Sequence, residues 1–386
     1  MAVKIEGTCD PKFKRVKEAF AANFDSGPEV GAAVALTLDG KPIVDLWAGH
    51  ADKEKTRPWT RDTIANVYST TKGLTAICAH RLVDQGKLDI DAPVAKYWPE
   101  FAAAGKEKIP VRFLLCHRAG LAAVGKTLAP ESLFDWNAMC AGLAEQKPWW
   151  DPGMRHGYHA LTFGWLVGEV IRRLTGKSPG TYFRDEIARP LGLDTHIGLG
   201  AEHDARTANL IAAPPPAPGK PNPFAEALKN PESVTAKAFA NPPVLGSPGL
   251  VNTRAWRACE IPAANGHTDA RSLARLYGAL ARGGELDGYR VLTPESIVRC
   301  HSEQARGPDE VLFISTRFGL GFMMSQPGAS MGPNPRSFGH PGAGGSLGYA
   351  DPDAKIGFGY VMNRMQAGLL IDPRATALID ALYASL

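Results

Sequence analysis

Apolar positions Phe13, Val16, Phe20 and Phe24 recur at helical spacing, which predicts a helix over residues 10–24 with one buried face. The stretch GAAVALTLDGKPIVDLWAG then holds two apolar runs joined by Asp39-Gly40, the pattern of a β-hairpin closed by a two-residue turn. After VYSTTKG at residues 67–73, Leu74, Ile77, Cys78, Leu82 and Val83 keep a helical period as far as Gly86, a residue suited to end a helix. From about 88 to 285, helical patterns such as LTFGWLVGEVIRRLTG and ARSLARLYGALARGG are broken by prolines. Residues 200–250 read as loop, because AAPPPAPGKPNP suits neither a helix nor a central strand. A loop of that length is expected to cover a site, with 214–223 over its mouth. Strand-like runs return in RFGLGFMM, SLGYADP and IGFGYVMNR, and a last helix is expected from about 373 to 385.

This order predicts an α/β fold of the α+β type, an antiparallel β-sheet flanked by helices. Its sheet region is expected from 1–65 and 290–386, with a mainly helical region, 66–289, inserted between them and carrying the 200–250 loop.

The 386 residues are 44% hydrophobic and 21% charged, which suits a soluble globular protein. A net charge of +4 is spread along the chain with no basic run among aromatics, so no nucleic-acid partner is expected. No stretch is long and apolar enough to span a bilayer, and the N-terminus lacks the apolar core of a secretory signal. A cytoplasmic location without a membrane partner is therefore expected. The six cysteines, Cys9, Cys78, Cys116, Cys140, Cys259 and Cys300, are scattered without metal-like spacing and are expected to be reduced. No oligomeric state follows from the sequence.

Candidate chemistry begins in VYSTTKG. On a helix, residues three apart share a face, so Ser69 and Lys72 can meet. Serine becomes a useful nucleophile when a base takes its proton, and a lysine with a lowered pKa is such a base. Free N–H groups at the helix start favour negative charge on an acyl oxygen. The same two residues also suit an N-cap serine followed by a surface lysine. Ser330 in GASMG and Ser346 in GGSLG match the nucleophile-elbow pattern, but neither lies between a predicted strand and a predicted helix.

Several ordered segments resemble the penicillin-recognising serine hydrolases, in particular the class C β-lactamase-like branch that includes the family VIII carboxylesterases. VYSTTKGLTA is similar to that family's S-x-x-K helix start, GKLDIDAPVAKYWPEF and VRFLLCHRAGL to its following segments, and EIARPLGLDT to a later one. PGMRHGYHALTFGWLVGEVIRRLTGKS resembles the piece with the second catalytic motif, and FGHPGAGGSLGYADPDAKIGFGYVMNR the hairpin with the third. The resemblance implies Ser69 as nucleophile, Lys72 as its proton acceptor, and Tyr158 as base or proton shuttle. A phenol acts as a base when a cation depresses its pKa, and Lys72 is the expected cation. The oxyanion donors are then the backbone N–H groups of Ser69 and Ala343.

Two departures bear on substrate. His340-Pro341-Gly342 stands where the lactamases have K-T-G, and Ala160 where they have an asparagine. Both point away from efficient β-lactam turnover and toward esters. Gly342 is expected to let an edge strand approach substrate, while His340 is either a substrate contact, a proton participant or a lining residue. Trp150 with Trp149, Trp136 and Phe134 either lines an acyl pocket or covers the helical region, and Asn265 with Gly266 neighbours the pocket. His117 reads as structural.

The resulting expectation is a serine carboxylesterase acting on short-chain acyl esters, a small-molecule substrate, with no metal or organic cofactor. The alternatives are a weak β-lactamase, a D-amino-acid peptidase or amidase, and an inactive scaffold of the same fold.

Overall fold

The computed structural model describes residues 3–25, 27–214, 222–368 and 370–386. Nine strands form one antiparallel sheet: β1 (Ile5–Cys9), β2 (Gly31–Leu38), β3 (Lys41–Gly49), β4 (Ala305–Pro308), β5 (Ser315–Phe318), β6 (Met323–Met324), β7 (Phe338–Pro341), β8 (Leu347–Asp351) and β9 (Ile356–Met362). Their order is β1-β3-β2-β9-β8-β7-β6-β5-β4, so β2 and β9, distant in sequence, lie side by side at the centre. The β2–β3 hairpin turns at Asp39 and Gly40, both with positive φ of 47° and 78°, the geometry a two-residue turn of this kind requires.

Alternation along the strands sorts side chains to two faces. From β2, Ala32, Val34 and Leu36 join Phe13, Val16 and Phe20 of α1 (Lys14–Asp25) and its lead-in turn, together with Leu378, Ile379 and Leu382. Those last three lie on the C-terminal helix, Pro373–Tyr383, which packs beside α1. The opposite residues, Ala33 and Ala35, share a second core with α2 (Thr71–Asp84), α3 (Thr162–Thr175) and α4 (Ala270–Ala281). The phase of each strand thus assigns it to both cores at once.

Close approach of α4 to the sheet depends on missing side chains. A Cβ on Gly359 would lie 2.1 Å from the Ala270 carbonyl oxygen, and one on Gly357 2.3 Å from that of Ala274. The helix backbone therefore rests directly on β9.

The region expected to be loop from 200 to 250 contains two short helices, Pro223–Lys229 and Val234–Ala240, capped by Asn222 and Ser233. Each cap is a polar side chain bonding the first-turn N–H groups, a local signal that the surrounding prolines obscured. Residues 215–221 of the stretch expected over the site mouth lie outside the described residues. Among the described residues, no helix is long and apolar enough to cross a membrane.

Gly359→Val is expected to destabilise the fold by about 1–3 kcal/mol, because β9 and α4 must separate to admit the side chain. The urea unfolding midpoint should fall accordingly, whereas an unchanged midpoint would contradict direct contact of helix on strand.

Candidate active site

Helix α2 begins at Thr71, with Thr70 as the N-cap, so Ser69 sits one residue ahead of the cap. Three successive N–H groups tighten this lead-in: Thr70 to the Val67 carbonyl, Thr71 to that of Tyr68, and Lys72 to that of Ser69, at 3.1, 2.9 and 2.9 Å. Tyr68 adopts a positive φ of 41°, a strained conformation for an aromatic residue. Its neighbour Val67 is tied to the Gly266 carbonyl, while Thr71 Oγ1 accepts the Gly266 N–H at 2.8 Å. The serine is therefore presented by a backbone held on both sides.

Lys72 lies one turn further in and is fully buried. Its Nζ is 3.1 Å from Ser69 Oγ, 2.7 Å from the Ala160 carbonyl oxygen and 3.1 Å from that of Ala263. No carboxylate neutralises it, and burial holds its pKa well below the ordinary lysine range. A neutral amine has two N–H groups and one lone pair. The two carbonyls match the N–H groups, which leaves the lone pair for the serine hydroxyl.

Tyr158 and Ser69 line one cavity, and the Lys72 nitrogen stands 4.6 Å from the centre of the tyrosine ring. The expected depression of the phenol by Lys72 is reversed in the resting site, where burial pushes the Tyr158 pKa up. The reason is physical: the amine above the ring has itself been driven toward its neutral form and supplies little field. Asp309, which the sequence reading missed, fixes the tyrosine backbone. Its buried carboxylate accepts the N–H groups of Tyr158, Val311 and Leu312 at 3.0, 2.9 and 2.9 Å. No local pattern marks a partner 151 residues away.

Among the described residues, neither Ser69 N–H nor Ala343 N–H donates to a protein acceptor, and both residues line the same cavity of about 370 Å³. Apolar side chains dominate the lining, including Leu161, Phe239, Leu245, Leu250, Val251 and Trp256, and among the described residues no lining side chain is charged. Five of these six come from residues 239–256, in and just beyond the segment read as loop.

This arrangement agrees with comparison to known proteins. Residues 20–381 match the family model described as Beta-lactamase. The chain belongs to the Beta-lactamase family. It is a serine hydrolase of that superfamily, as the resemblance in its motifs implied. The esterase/beta-lactamase LipL of Mycobacterium tuberculosis is 38% identical over 376 residues, covering 96% of this chain and 86% of that protein. A penicillin-binding protein homologue from Caulobacter crescentus superposes with a TM-score of 0.91 at 42% identity, over 99% of this chain and 100% of that one. A family VIII carboxylesterase gives 0.90 at 42% identity with the same coverage.

Within this Beta-lactamase family site, the four expected substrate contacts lie elsewhere than on the cavity surface. His340 is buried in β7, an inner strand between β6 and β8 rather than an edge. Its Nδ1–H donates to the Pro341 carbonyl at 2.7 Å, its Nε2 is buried without a partner, and burial lowers its pKa to about 3. Gly342 serves a backbone approach rather than substrate, since a Cβ there would meet the Val67 carbonyl oxygen at 2.1 Å. Trp150 donates to the Arg155 carbonyl and packs edge-on to His159. Trp149 and Trp136 bond the Ala123 carbonyl and Glu169, while Phe134 is exposed.

Asn265 is structural. Its Nδ2 donates to the Trp256 and Cys259 carbonyls at 2.9 and 2.6 Å, and its Oδ1 accepts the Ile261 N–H at 2.8 Å. These bonds shape the 256–265 segment that offers the Ala263 carbonyl to Lys72. Ser346 is also structural, donating to the Val67 carbonyl at 2.9 Å, and the exposed Ser330 donates to the Gly332 carbonyl at 2.8 Å. His117 accepts the His159 N–H through Nδ1 and packs against Tyr158.

Asn265→Ala leaves three buried backbone groups without this partner and is expected to lower stability by about 1–3 kcal/mol. A chemical-denaturation midpoint equal to the parent's would show that water replaces those bonds.

Proposed function

We propose that the chain is a carboxylesterase that hydrolyses uncharged, short-chain acyl esters through a Ser69 acyl-enzyme. The observation that carries this reading is the Ser69–Lys72–Tyr158 cluster beside an apolar cavity with no charged side chain among its described lining residues. The carboxylesterase neighbour at 42% identity supports it further. A β-lactam antibiotic brings a carboxylate into the site, and the described lining residues offer that anion no cation. The relative named esterase/beta-lactamase keeps β-lactam turnover as a second reading for this chain, tested with nitrocefin beside an ester on one preparation.

In the proposed mechanism, Ser69 passes its proton to the Lys72 amine while Oγ adds to the ester carbonyl carbon. The carbonyl oxygen, now negative, accepts hydrogen bonds from the N–H groups of Ser69 and Ala343. As the carbon–oxygen bond to the alcohol breaks, Tyr158 gives its phenolic proton to the leaving alkoxide. The Lys72 ammonium formed in the first step now lies over the phenolate ring, so the cation assists the tyrosine only after the serine has been deprotonated. Water then yields a proton to the phenolate and adds to the acyl carbon. Collapse expels Ser69, which recovers its proton from Lys72 and releases the acid.

Ser69→Ala is expected to reduce turnover of a p-nitrophenyl ester by at least about 10³-fold. Lys72→Arg retains a cation that cannot deprotonate, and the expected loss is about 10²–10⁴-fold. Full activity in the Ser69 variant, or phosphonate labelling at Ser330 or Ser346, would sink the assignment.

The pH profile supplies a further prediction. Only the neutral amine accepts the serine proton, so kcat/KM should rise with pH as Lys72 deprotonates, and burial places that rise below the ordinary lysine range. His340, whose pKa burial lowers to about 3, should add no inflection through the neutral region. A profile that begins to rise only near the ordinary lysine value would contradict the proposed base.

A further inference from the structure

The turn that carries Ala343 is Gly342-Ala343-Gly344-Gly345, and Gly344 and Gly345 take positive φ values of 89° and 134°. Such a sequence has little stiffness of its own, because glycine populates more backbone conformations than any other residue. Backbone bonds close the turn, from the Gly342 N–H to the Ser346 carbonyl at 2.7 Å and from the Gly345 N–H to the Gly342 carbonyl at 3.1 Å. The Gln366 N–H reaches the Gly344 carbonyl at 3.1 Å, while side chains fix the turn against the rest of the fold. Two ties reach it from the nucleophile side: Ser346 Oγ donates to the Val67 carbonyl, and lies 3.2 Å from Thr70 Oγ1. On the opposite side stands Arg374, in the first turn of the C-terminal helix.

Arg374 is buried, and all five of its N–H donors are engaged. Nη2 reaches the Gly344 carbonyl at 2.7 Å and Asp372 Oδ2 at 3.0 Å. Nη1 reaches Glu29 Oε1 and the Arg364 carbonyl, each at 2.9 Å, and Nε reaches Asp372 Oδ1 at 2.9 Å. Glu29 lies just ahead of β2 and also accepts the Tyr360 hydroxyl from β9. The guanidinium is therefore anchored to the centre of the sheet by carboxylates on one side and holds the glycine turn by a carbonyl on the other. The fit is close: a Cβ on Gly345 would lie 2.6 Å from Arg374 Nη2.

We infer that Arg374, braced by Glu29 and Asp372, is a positioning residue that sets the place of the Ala343 N–H in the oxyanion hole through its bond to the Gly344 carbonyl. This rests on the reading of Ser69 and Ala343 given above. Lysine at 374 keeps the positive charge beside both carboxylates but lacks a planar fork able to reach Gly344, Arg364, Glu29 and Asp372 together. Misplacing a reacting group by about 1 Å reduces rate by about 10²-fold.

The test compares the parent protein with R374K and E29Q, each normalised to active sites counted by complete covalent labelling with a fluorophosphonate. For R374K, kcat per labelled site on a p-nitrophenyl ester should fall by about 10²-fold with KM changed less than about 3-fold. Inhibition constants for an alkyl boronic acid, whose serine adduct is tetrahedral, should rise in step with the loss of kcat. E29Q keeps a hydrogen-bonding side chain without the charge, and its kcat should fall about 3–10-fold in the same sense. If R374K does not fold, E29Q alone decides by these measures.

A merely structural role predicts fewer labelled sites, each with parental kcat and boronate affinity, and that result overturns the inference. The outcomes separate from those of the function reading. Activity surviving in S69A defeats that reading, whereas an inactive S69A beside parental kcat per site in R374K and E29Q defeats only the role of Arg374.

Discussion

A lysine amine buried without a counter-charge is the constraint around which this site is organised. Transferring an ammonium out of water is so unfavourable that the group is pushed toward neutrality instead. The fold meets the remaining polarity with two backbone carbonyls, Ala160 and Ala263, and the third direction is left to the Ser69 hydroxyl. A carboxylate in place of either carbonyl would keep Lys72 charged and unable to accept a proton. The absence of an ion pair at this position is thus part of the chemistry.

That arrangement requires several distant segments to converge. Helix α2 brings the lysine, the segment before α3 brings Tyr158 and Ala160, and the stretch ahead of α4 brings Ala263. Gly266 binds the nucleophile turn directly by backbone hydrogen bonds, and Asn265 shapes the same stretch from within. Behind them, α4 lies on the glycines of β9, which fixes the helical region to the sheet that supplies Ala343. The proposed donor on the sheet side and the serine on the helix side therefore belong to one continuous packing.

Legibility in the sequence followed the range of the interactions. The α1 face, the Asp39-Gly40 hairpin and the α2 period rest on neighbours a few residues apart, and each appears in the structure where the pattern placed it. Ser69 and Lys72 share that locality, since one helical turn joins them. Tyr158 entered through family resemblance, because no periodicity links it to residue 69. The cavity lining, Asp309 and the two carbonyls depend on tertiary placement, and a carbonyl belongs to every residue. Trp150 and Asn265 were drawn toward the site by residue type, yet their polar atoms are consumed by nearby backbone. The direction of the Tyr158 shift was misread for the same reason: desolvation is a property of the assembled interior, not of a motif.

Strain at Tyr68 bears on why the nucleophile is not simply the N-cap of its helix. A serine at the cap position turns its oxygen back to the first-turn N–H groups, where it accepts a hydrogen bond and loses reactivity. Here Thr70 takes the cap position without a side-chain bond to the helix N–H groups, and Ser69 is displaced one residue outward. The left-handed conformation of Tyr68, unfavourable by about 1–2 kcal/mol for a non-glycine residue, permits the displacement. Contacts of Thr71 with the Tyr68 carbonyl and the Gly266 N–H hold it in place. The N–H of Ser69 is thereby left without a protein acceptor on the cavity wall, and its hydroxyl faces the amine and the phenol instead of its own backbone.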